Sequence, residues 1–223
     1  MSIKGAIFDF NGVLLWDTHL HEQAWQLFAK RMRGSSFSDQ EIEEHIHGRN
    51  NQHTITYLAK KALSTEKIQE LAEEKEKIYY DLAIASGEKY CLSPGSEKLL
   101  TELQQHEIPY TIATASPAIN IEFYFERLQM DRWFDRSKVV YDDGTRPGKP
   151  DPALFLAAAA KLGVSFGDCV LVEDSLSGLN AAYLGCAGRI VALGPKEKHQ
   201  ALQKVIGVDQ VISRLDELAV AEF

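Results

Sequence analysis

The chain has 223 residues, 45% of them hydrophobic and 25% charged, which is enough for one domain with a sizeable core or for a core carrying a smaller insert. Its formal net charge of -8 argues against a nucleic-acid partner, because such proteins carry a basic stripe that meets the phosphate backbone. No run reaches the apolar length of a transmembrane helix, so we expect no membrane partner.

The amino terminus, MSIKGAIFDF, suits a first strand better than a signal peptide. The three cysteines, Cys91, Cys169 and Cys186, lie far apart and form no CxxC pair, so they indicate neither a zinc site nor a disulfide framework. We expect them to be small buried side chains in a reducing compartment. These features together predict a cytoplasmic protein.

Short apolar runs recur along the chain, each followed by small or polar residues and then by a helical pattern. Alternation of strand and helix at this spacing predicts a Rossmann-like α/β core, a parallel sheet wrapped by helices. Parallel sheets bind ligands at the carboxyl ends of their strands. The predicted strands are Ala6–Phe10, Tyr110–Thr114, Val139–Tyr141, Val170–Glu173, Arg189–Leu193 and Gln210–Ile212.

A long helical stretch follows the first strand. Between Trp16 and about Ala85 the strand signals vanish and helical periodicity takes over. So long a stretch is not a simple crossover connection, so it predicts an inserted helical cap at 16–85, between core segments at 1–15 and 86–223. Within it, the charged run EEKEK, which contains Lys75, is typical of a solvated helix face.

Four local signals fall near the ends of predicted strands. Asp9 stands in FDFNGVL, Thr114 in TIATASP, Lys149 in RPGKPDP and Glu173-Asp174 in LVEDSLSG. Two of these segments run into predicted helix starts, Ser116-Pro117 and Asp151-Pro152, each pairing a capping side chain with proline at the first helical position.

In the order and spacing of these motifs, the chain resembles the haloacid dehalogenase superfamily, and more narrowly its helical-cap phosphatases and phosphomutases of the beta-phosphoglucomutase-like subgroup. The resemblance implies that Asp9 is a nucleophile toward phosphorus and that Thr114 and Lys149 contact the phosphoryl group. It also implies a Mg²⁺ site made by Asp9, the Asn11 backbone carbonyl, Glu173 and Asp174. The physical logic agrees, because a carboxylate attacks an anionic phosphate only when a cation offsets their repulsion, and oxygen ligands suit Mg²⁺.

Asn11 departs from the phosphatase pattern, which has an aspartate at this position as general acid and base. An amide does neither at neutral pH, and positioned acid–base catalysis is worth roughly 100- to 10,000-fold. Three explanations stay open: an engineered Asp→Asn substitution, a natural residue serving substrates whose leaving group needs little protonation or that supply the acid from elsewhere, or a protein that binds phosphorylated ligands without turnover.

Four further residues are candidate substrate contacts. His21 matches a histidine near the active site of the mutases, and it equally fits a helix residue packed between cap and core. Arg49 suits phosphate recognition, but alignment of Gly48 matches the phosphate-gripping arginine of the mutases to Asn51 instead. Ser116 is expected to cap a helix, with a hydroxyl that can also face the site.

The sequence therefore predicts a Mg²⁺-dependent phosphatase that acts on a small phosphorylated metabolite, such as a sugar phosphate, through an aspartyl-phosphate intermediate. The alternatives are a phosphate-binding or regulatory protein whose catalysis is impaired by Asn11, and a phosphomutase. We expect a monomer and leave a dimer open.

Overall fold

A computed structural model of the chain describes residues 3–222. Its contacts divide the chain into two compact units. The sheet unit comprises the described residues up to Trp16 and from Leu92 onward, and the helical unit is Asp17–Cys91. No helix within the described residues is long and apolar enough to cross a membrane.

The sheet unit contains one six-stranded sheet in the order β3-β2-β1-β4-β5-β6, and every neighbouring pair is parallel. This confirms the predicted α/β fold and each of the six predicted strands to within a few residues. The strands are β1 Gly5–Phe8, β2 Tyr110–Pro117, β3 Val140–Asp142, β4 Cys169–Glu173, β5 Arg189–Leu193 and β6 Gln210–Ile212.

Nine α-helices connect or follow these strands in the described chain. Five of them come between β1 and β2, and the first four of these make up the helical unit, so the predicted helical insert after the first strand is confirmed. The helices are α1 Thr18–Arg33, α2 Asp39–His45, α3 Asn51–Ala59, α4 Thr65–Ala85, α5 Ser96–Gln105, α6 Ala118–Leu128, α7 Ala153–Leu162, α8 Leu176–Leu184 and α9 His199–Leu202.

The core of the sheet unit lies on the central strands. All four residues of β1 and all five of β4 are buried, because helices cover both faces of a parallel sheet. Ile7 and Leu171 from these strands pack in one cluster with Phe155 and Ala158 of α7. A sheet packed in this way holds the carboxyl ends of β1 and β4 in a fixed register.

Both predicted helix starts lie one residue too early. The helices α6 and α7 begin after their prolines, at Ala118 and Ala153. Ser116 is wrong as a helix cap, because β2 continues through Pro117 and the Ser116 hydroxyl bonds elsewhere. Asp151 does accept a hydrogen bond, at 2.9 Å, from the backbone N–H of Ala153.

The helical unit has its own apolar core and its own caps. Trp25 and Phe28 of α1 pack with Ile55 and Leu58 of α3. Ser38, Asn50 and Ser64 accept hydrogen bonds from first-turn N–H groups of α2, α3 and α4, which satisfies donors that a helix leaves unpaired.

The sequence predicted that the charged run EEKEK is a solvated helix face, and the structure shows that this holds for only part of the run. Lys75 is 1% exposed and Glu76 is 2% exposed. The Lys75 ammonium pairs with the Glu76 carboxylate at 3.1 Å and lies 4.9 Å from the centre of the Trp25 ring. The charge run therefore hides a buried ion pair, which composition alone does not reveal.

The cysteine prediction holds for only one of the three residues. Cys169 is buried in β4, whereas Cys91 and Cys186 are exposed. The two exposed thiols lie in connecting segments outside the packed strands.

Candidate active site

The carboxyl ends of β1 and β4 bring three acidic residues together. Asp9 follows β1, Glu173 ends β4 and Asp174 comes directly after it. The register pairs Phe8 with Val172, and the Asp9 N–H donates to the Val172 carbonyl at 3.0 Å. The chain order reverses between these two strands, and open α/β sheets bind ligands at such a switch point.

Lys149 joins two of these carboxylates. Its Nζ lies 3.1 Å from Asp9 Oδ2 and 2.8 Å from Glu173 Oε2, and all three side chains are buried. The other oxygen of Glu173, Oε1, accepts hydrogen bonds from the Ser175 N–H at 3.0 Å and from the Ser175 hydroxyl at 2.5 Å. Both oxygens of Glu173 are thus engaged, one with the lysine and one with the start of α8.

The burial of these charges shifts their pKa values. Desolvation, reinforced by the negative charge of Glu173, raises the pKa of Asp9 to about 7, although Lys149 opposes the shift. Desolvation and the charges of Glu173 and Asp9 likewise raise the pKa of Asp174. Burial lowers the pKa of Lys149, but the attraction of Asp9 and Glu173 outweighs it and leaves that pKa above its ordinary value. Binding of a cation would therefore stabilise the charged forms of these carboxylates.

The donor set fits a divalent cation. Asp9, Glu173 and Asp174 each offer a carboxylate oxygen, and the three oxygens lie within 4.8 Å of one another. Asp9 Oδ1 is buried and has no hydrogen-bond partner within the described residues. Such an unsatisfied buried acceptor is costly unless something binds it, and carboxylate oxygens are ligands that Mg²⁺ prefers. Because Glu173 is already engaged on both oxygens, Asp9 and Asp174 are the better placed direct ligands.

Gly12 allows the loop after β1 to approach Asp174. Its φ of +84° lies in the left-handed region, and its N–H donates to the Leu15 carbonyl at 2.7 Å. A Cβ at this position would lie 2.0 Å from Asp174 Oδ2. Only glycine satisfies both the backbone conformation and the contact with the carboxylate.

The Asn11 carboxamide is held by hydroxyl groups from β2 and α6. Asn11 Oδ1 accepts from the Ser116 hydroxyl at 2.8 Å, and a longer contact of 3.5 Å joins it to the Thr114 hydroxyl. Asn11 Nδ2 donates to the Tyr124 hydroxyl oxygen at 2.9 Å. The structure thus brings Asn11, Thr114 and Ser116 together.

Tyr124 and Asn120 were missed by the sequence analysis. Tyr124 is 1% exposed, stacks on Phe10 with ring centroids 4.4 Å apart, and accepts a hydrogen bond from Asn120 Nδ2 at 3.3 Å. Their spacing was the available signal, because residues four apart on a helix share a face. The helix that carries them, α6, comes directly after β2, the strand that contains Thr114.

The three candidate residues from the insert lie within the helical unit. His21 stacks on Tyr79 with centroids 3.9 Å apart, and its Nδ1 is 3.0 Å from Lys75 Nζ. Asn51 Nδ2 donates to Glu76 Oε1 at 2.7 Å, and Arg49 Nε donates to a backbone carbonyl of the same unit at 3.2 Å. His21 and Asn51 therefore belong to the polar cluster around the buried Lys75–Glu76 pair, and their role toward substrate stays a prediction.

Comparison with known proteins identifies relatives along nearly the whole chain. The family model described as haloacid dehalogenase-like hydrolase matches residues 3–182. The beta-phosphoglucomutase of Bacillus subtilis is 29% identical over 98% of this chain and 92% of its own length. The chloroplastic 5-amino-6-(5-phospho-D-ribitylamino)uracil phosphatase of Arabidopsis thaliana is 26% identical over 98% of this chain, which spans only 56% of that protein.

A solved structure agrees with this assignment. The crystal structure of a family IA, variant 3 hydrolase of the same superfamily from Entamoeba histolytica superposes with a TM-score of 0.87 at 33% identity, covering 99% of this chain and 97% of the other. The match extends over both the sheet unit and the helical unit. With the family model covering most of the sequence, the chain belongs to the haloacid dehalogenase-like hydrolases and has beta-phosphoglucomutase-like relatives.

Proposed function

We propose that this protein is a Mg²⁺-dependent phosphatase of small phosphorylated metabolites, with Asp9 as the residue that accepts the phosphoryl group. The observation that carries the proposal is the cluster of Asp9, Glu173 and Asp174 around Lys149, in which Asp9 Oδ1 is buried without a hydrogen-bond partner in the described chain. Family membership supports the same reaction class, because the relatives include a phosphatase and a phosphomutase.

Each residue of the cluster has a distinct task in this proposal. Asp9 Oδ1 and an oxygen of Asp174 would hold Mg²⁺, which when bound screens the negative charges of carboxylate and phosphate from each other. Lys149 orients the Asp9 carboxylate and adds a fixed positive charge. Glu173 holds Lys149 in place, and the Thr114 hydroxyl at the end of β2 is a donor for a phosphoryl oxygen.

In the transfer step, an Asp9 carboxylate oxygen forms a bond to phosphorus while the bond between phosphorus and the leaving oxygen breaks. The leaving oxygen keeps the electron pair and takes a proton from solvent. Water then attacks phosphorus and gives a proton to solvent, and the electron pair of the Asp9–phosphorus bond returns to the carboxylate. A sugar phosphate is the substrate class we favour, because the Bacillus relative is by name a mutase of a phosphorylated sugar.

Phosphate release from a panel of sugar phosphates and one aryl phosphate, measured with and without Mg²⁺, tests the proposal. Asp9→Asn should abolish release, whereas the matched change Asp168→Asn removes only a surface ion pair with Lys4 and should leave it intact. Equal release by the Asp9→Asn variant would refute the role of Asp9.

Two alternative functions follow from specific observations. Asn11 favours a phosphate-binding or regulatory protein, because its amide supplies no proton; ligand binding without release from any substrate would support that function. The similarity to the Bacillus mutase favours a phosphomutase that acts on a sugar phosphate. Asn51 argues against the mutase, since the resemblance expects an arginine there.

A further inference from the structure

Two histidines of the helical unit meet across the connection between α2 and α3. His45 is the last residue of α2, and His53 lies in the first turn of α3. His45 Nδ1 is 3.2 Å from His53 Nε2, and the two rings stack with centroids 5.4 Å apart. The reaction proposed above takes place on residues of the sheet unit and makes no use of this pair.

The pair is held in place by other side chains of the helical unit. The His45 ring stacks on Tyr57 with centroids 3.7 Å apart, and the Tyr57 hydroxyl donates to Glu41 Oε1 at 2.7 Å. The backbone carbonyl of His45 accepts a hydrogen bond at 2.6 Å from the hydroxyl of Thr54, which directly follows His53. The two imidazoles are therefore preorganised, each on its own helix.

Their separation suits two ligands of one transition-metal ion. Two nitrogens that each lie about 2.0 to 2.1 Å from Zn²⁺ in a tetrahedral arrangement are about 3.3 to 3.4 Å apart. The observed separation of 3.2 Å is close to this value. The torsion that turns an imidazole ring is soft, so both lone pairs can be directed at one ion at little cost. Imidazole nitrogen suits Zn²⁺, Cu²⁺ and Ni²⁺, whereas Mg²⁺ prefers oxygen.

A carboxylate lies beside the other nitrogen of His45. Glu44 Oε2 is 3.8 Å from His45 Nε2, and the His45 side chain is 24% exposed, so an ion from solvent can reach it. A carboxylate at this place favours the proton on Nε2 and leaves Nδ1 free, which is the usual arrangement around a metal-bound histidine. Arg49 Nε donates to the Glu44 backbone carbonyl at 3.2 Å. The positive charge of Arg49 opposes a bound cation, and the carboxylate of Glu44 offsets it.

We propose that His45 and His53 form an exchangeable binding site for a divalent transition metal such as Zn²⁺. Among the described residues no third histidine, cysteine or carboxylate side chain shares the site, so solvent would complete the coordination. The two ligands bracket residues 46–52, which include the candidate substrate contacts Arg49 and Asn51. A bound ion would fix the spacing of α2 and α3 around this connection.

Zn²⁺ itself is the probe, added to the full chain in the presence of excess Mg²⁺, which occupies the carboxylate cluster of the sheet unit. Isothermal titration calorimetry measures the affinity, and ¹⁵N NMR of the histidine rings identifies the nitrogens that bind. The exposed cysteines Cys91 and Cys186 are replaced by serine in every sample, because thiolates also bind Zn²⁺. Circular dichroism checks that each variant is folded.

We expect His45→Gln and His53→Gln each to weaken Zn²⁺ binding at least about tenfold, since even the loss of a group that orients a metal ligand typically costs about 10- to 100-fold. The matched change His106→Gln, at an exposed histidine of the sheet unit, should leave the affinity unchanged. The resonances of His45 Nδ1 and His53 Nε2 should shift when Zn²⁺ is added and stay in place with Mg²⁺ alone.

Two results would overturn the inference. Equal Zn²⁺ affinities in His106→Gln and in both site variants would show that the contact between the two rings is a hydrogen bond only. Resonances of either His45 or His53 that do not move with Zn²⁺ would show that the two rings do not share an ion. The NMR result on the chain with both histidines intact decides the matter alone if a site variant fails to fold.

Discussion

Replacing Gly12 with alanine tests whether the missing Cβ of this glycine allows the Asp174 carboxylate to take its position. The effect of the added Cβ on Asp174 can be measured separately from ordinary backbone strain. The new Cβ would lie 2.0 Å from Asp174 Oδ2, and real Cβ contacts below 3.0 Å essentially do not occur. The carboxylate must therefore withdraw by at least about 1 Å, which is more than a functional site tolerates. The left-handed backbone, with φ of +84°, adds about 1 to 2 kcal/mol of strain.

The expected consequence is weaker Mg²⁺ binding. Displacing a group that orients a metal ligand typically lowers metal affinity about 10- to 100-fold. At high Mg²⁺ concentration this loss removes about 1.4 to 2.8 kcal/mol of metal-dependent stabilisation, because each tenfold change in affinity is worth about 1.4 kcal/mol. Urea unfolding at a series of Mg²⁺ concentrations measures both effects. The loss of stability without metal reports the backbone strain, and the smaller gain in stability on adding Mg²⁺ reports the weaker metal binding.

Gly163→Ala is the matched control for this experiment. Gly163 also has a positive φ, +74°, but nothing lies within 4 Å of the position of its Cβ. We expect it to lose similar stability without metal and to keep the full stabilisation by Mg²⁺. If the two variants respond alike to Mg²⁺, the contact between Gly12 and Asp174 does not position a metal ligand and the reasoning fails.

Three further substitutions test the buried polar contacts. Lys149→Ala leaves two buried carboxylates unpaired and should lower the free energy of unfolding by about 3 to 5 kcal/mol, and by less when Mg²⁺ is added; a loss unaffected by Mg²⁺ would contradict the proposed metal site. Tyr124→Phe removes the acceptor of Asn11 Nδ2 and should cost about 1 to 3 kcal/mol in urea unfolding; an unchanged midpoint would mean that water replaces the hydroxyl. Lys75→Met should cost about 3 to 5 kcal/mol, and the double change with Glu76→Gln should recover part of it; full additivity of the two single losses would show that the pair is not coupled.

The strands and the gathering of site residues were accessible from sequence because both follow from short-range patterns. Apolar runs of four or five residues mark β1 and β4, and in a parallel sheet the residues that follow such runs meet at one edge. Asp9, Glu173 and Asp174 are brought together for this reason. Helix starts were less accurate, because a Ser-Pro pair fits both the end of a strand and the beginning of a helix.

Charge patterns were the least informative feature. In EEKEK, two neighbouring charges turn out to be buried and two of the others exposed, and only the packing of α4 against α1 and α3 decides which. The same limit applies to Ser116, whose hydroxyl bonds to Asn11 across more than a hundred residues of chain.

The sequence by itself determined the class of fold, the insertion of helices after the first strand and the set of carboxylates at the sheet edge, because periodicity and motif spacing are local properties of the chain. Only the tertiary structure decided that both oxygens of Glu173 are engaged, that Lys149 bridges Glu173 and Asp9, and that Tyr124 holds the Asn11 amide. Apart from the bond between Ser175 and Glu173, these contacts join residues far apart in sequence, and their energies depend on burial, which no local pattern specifies.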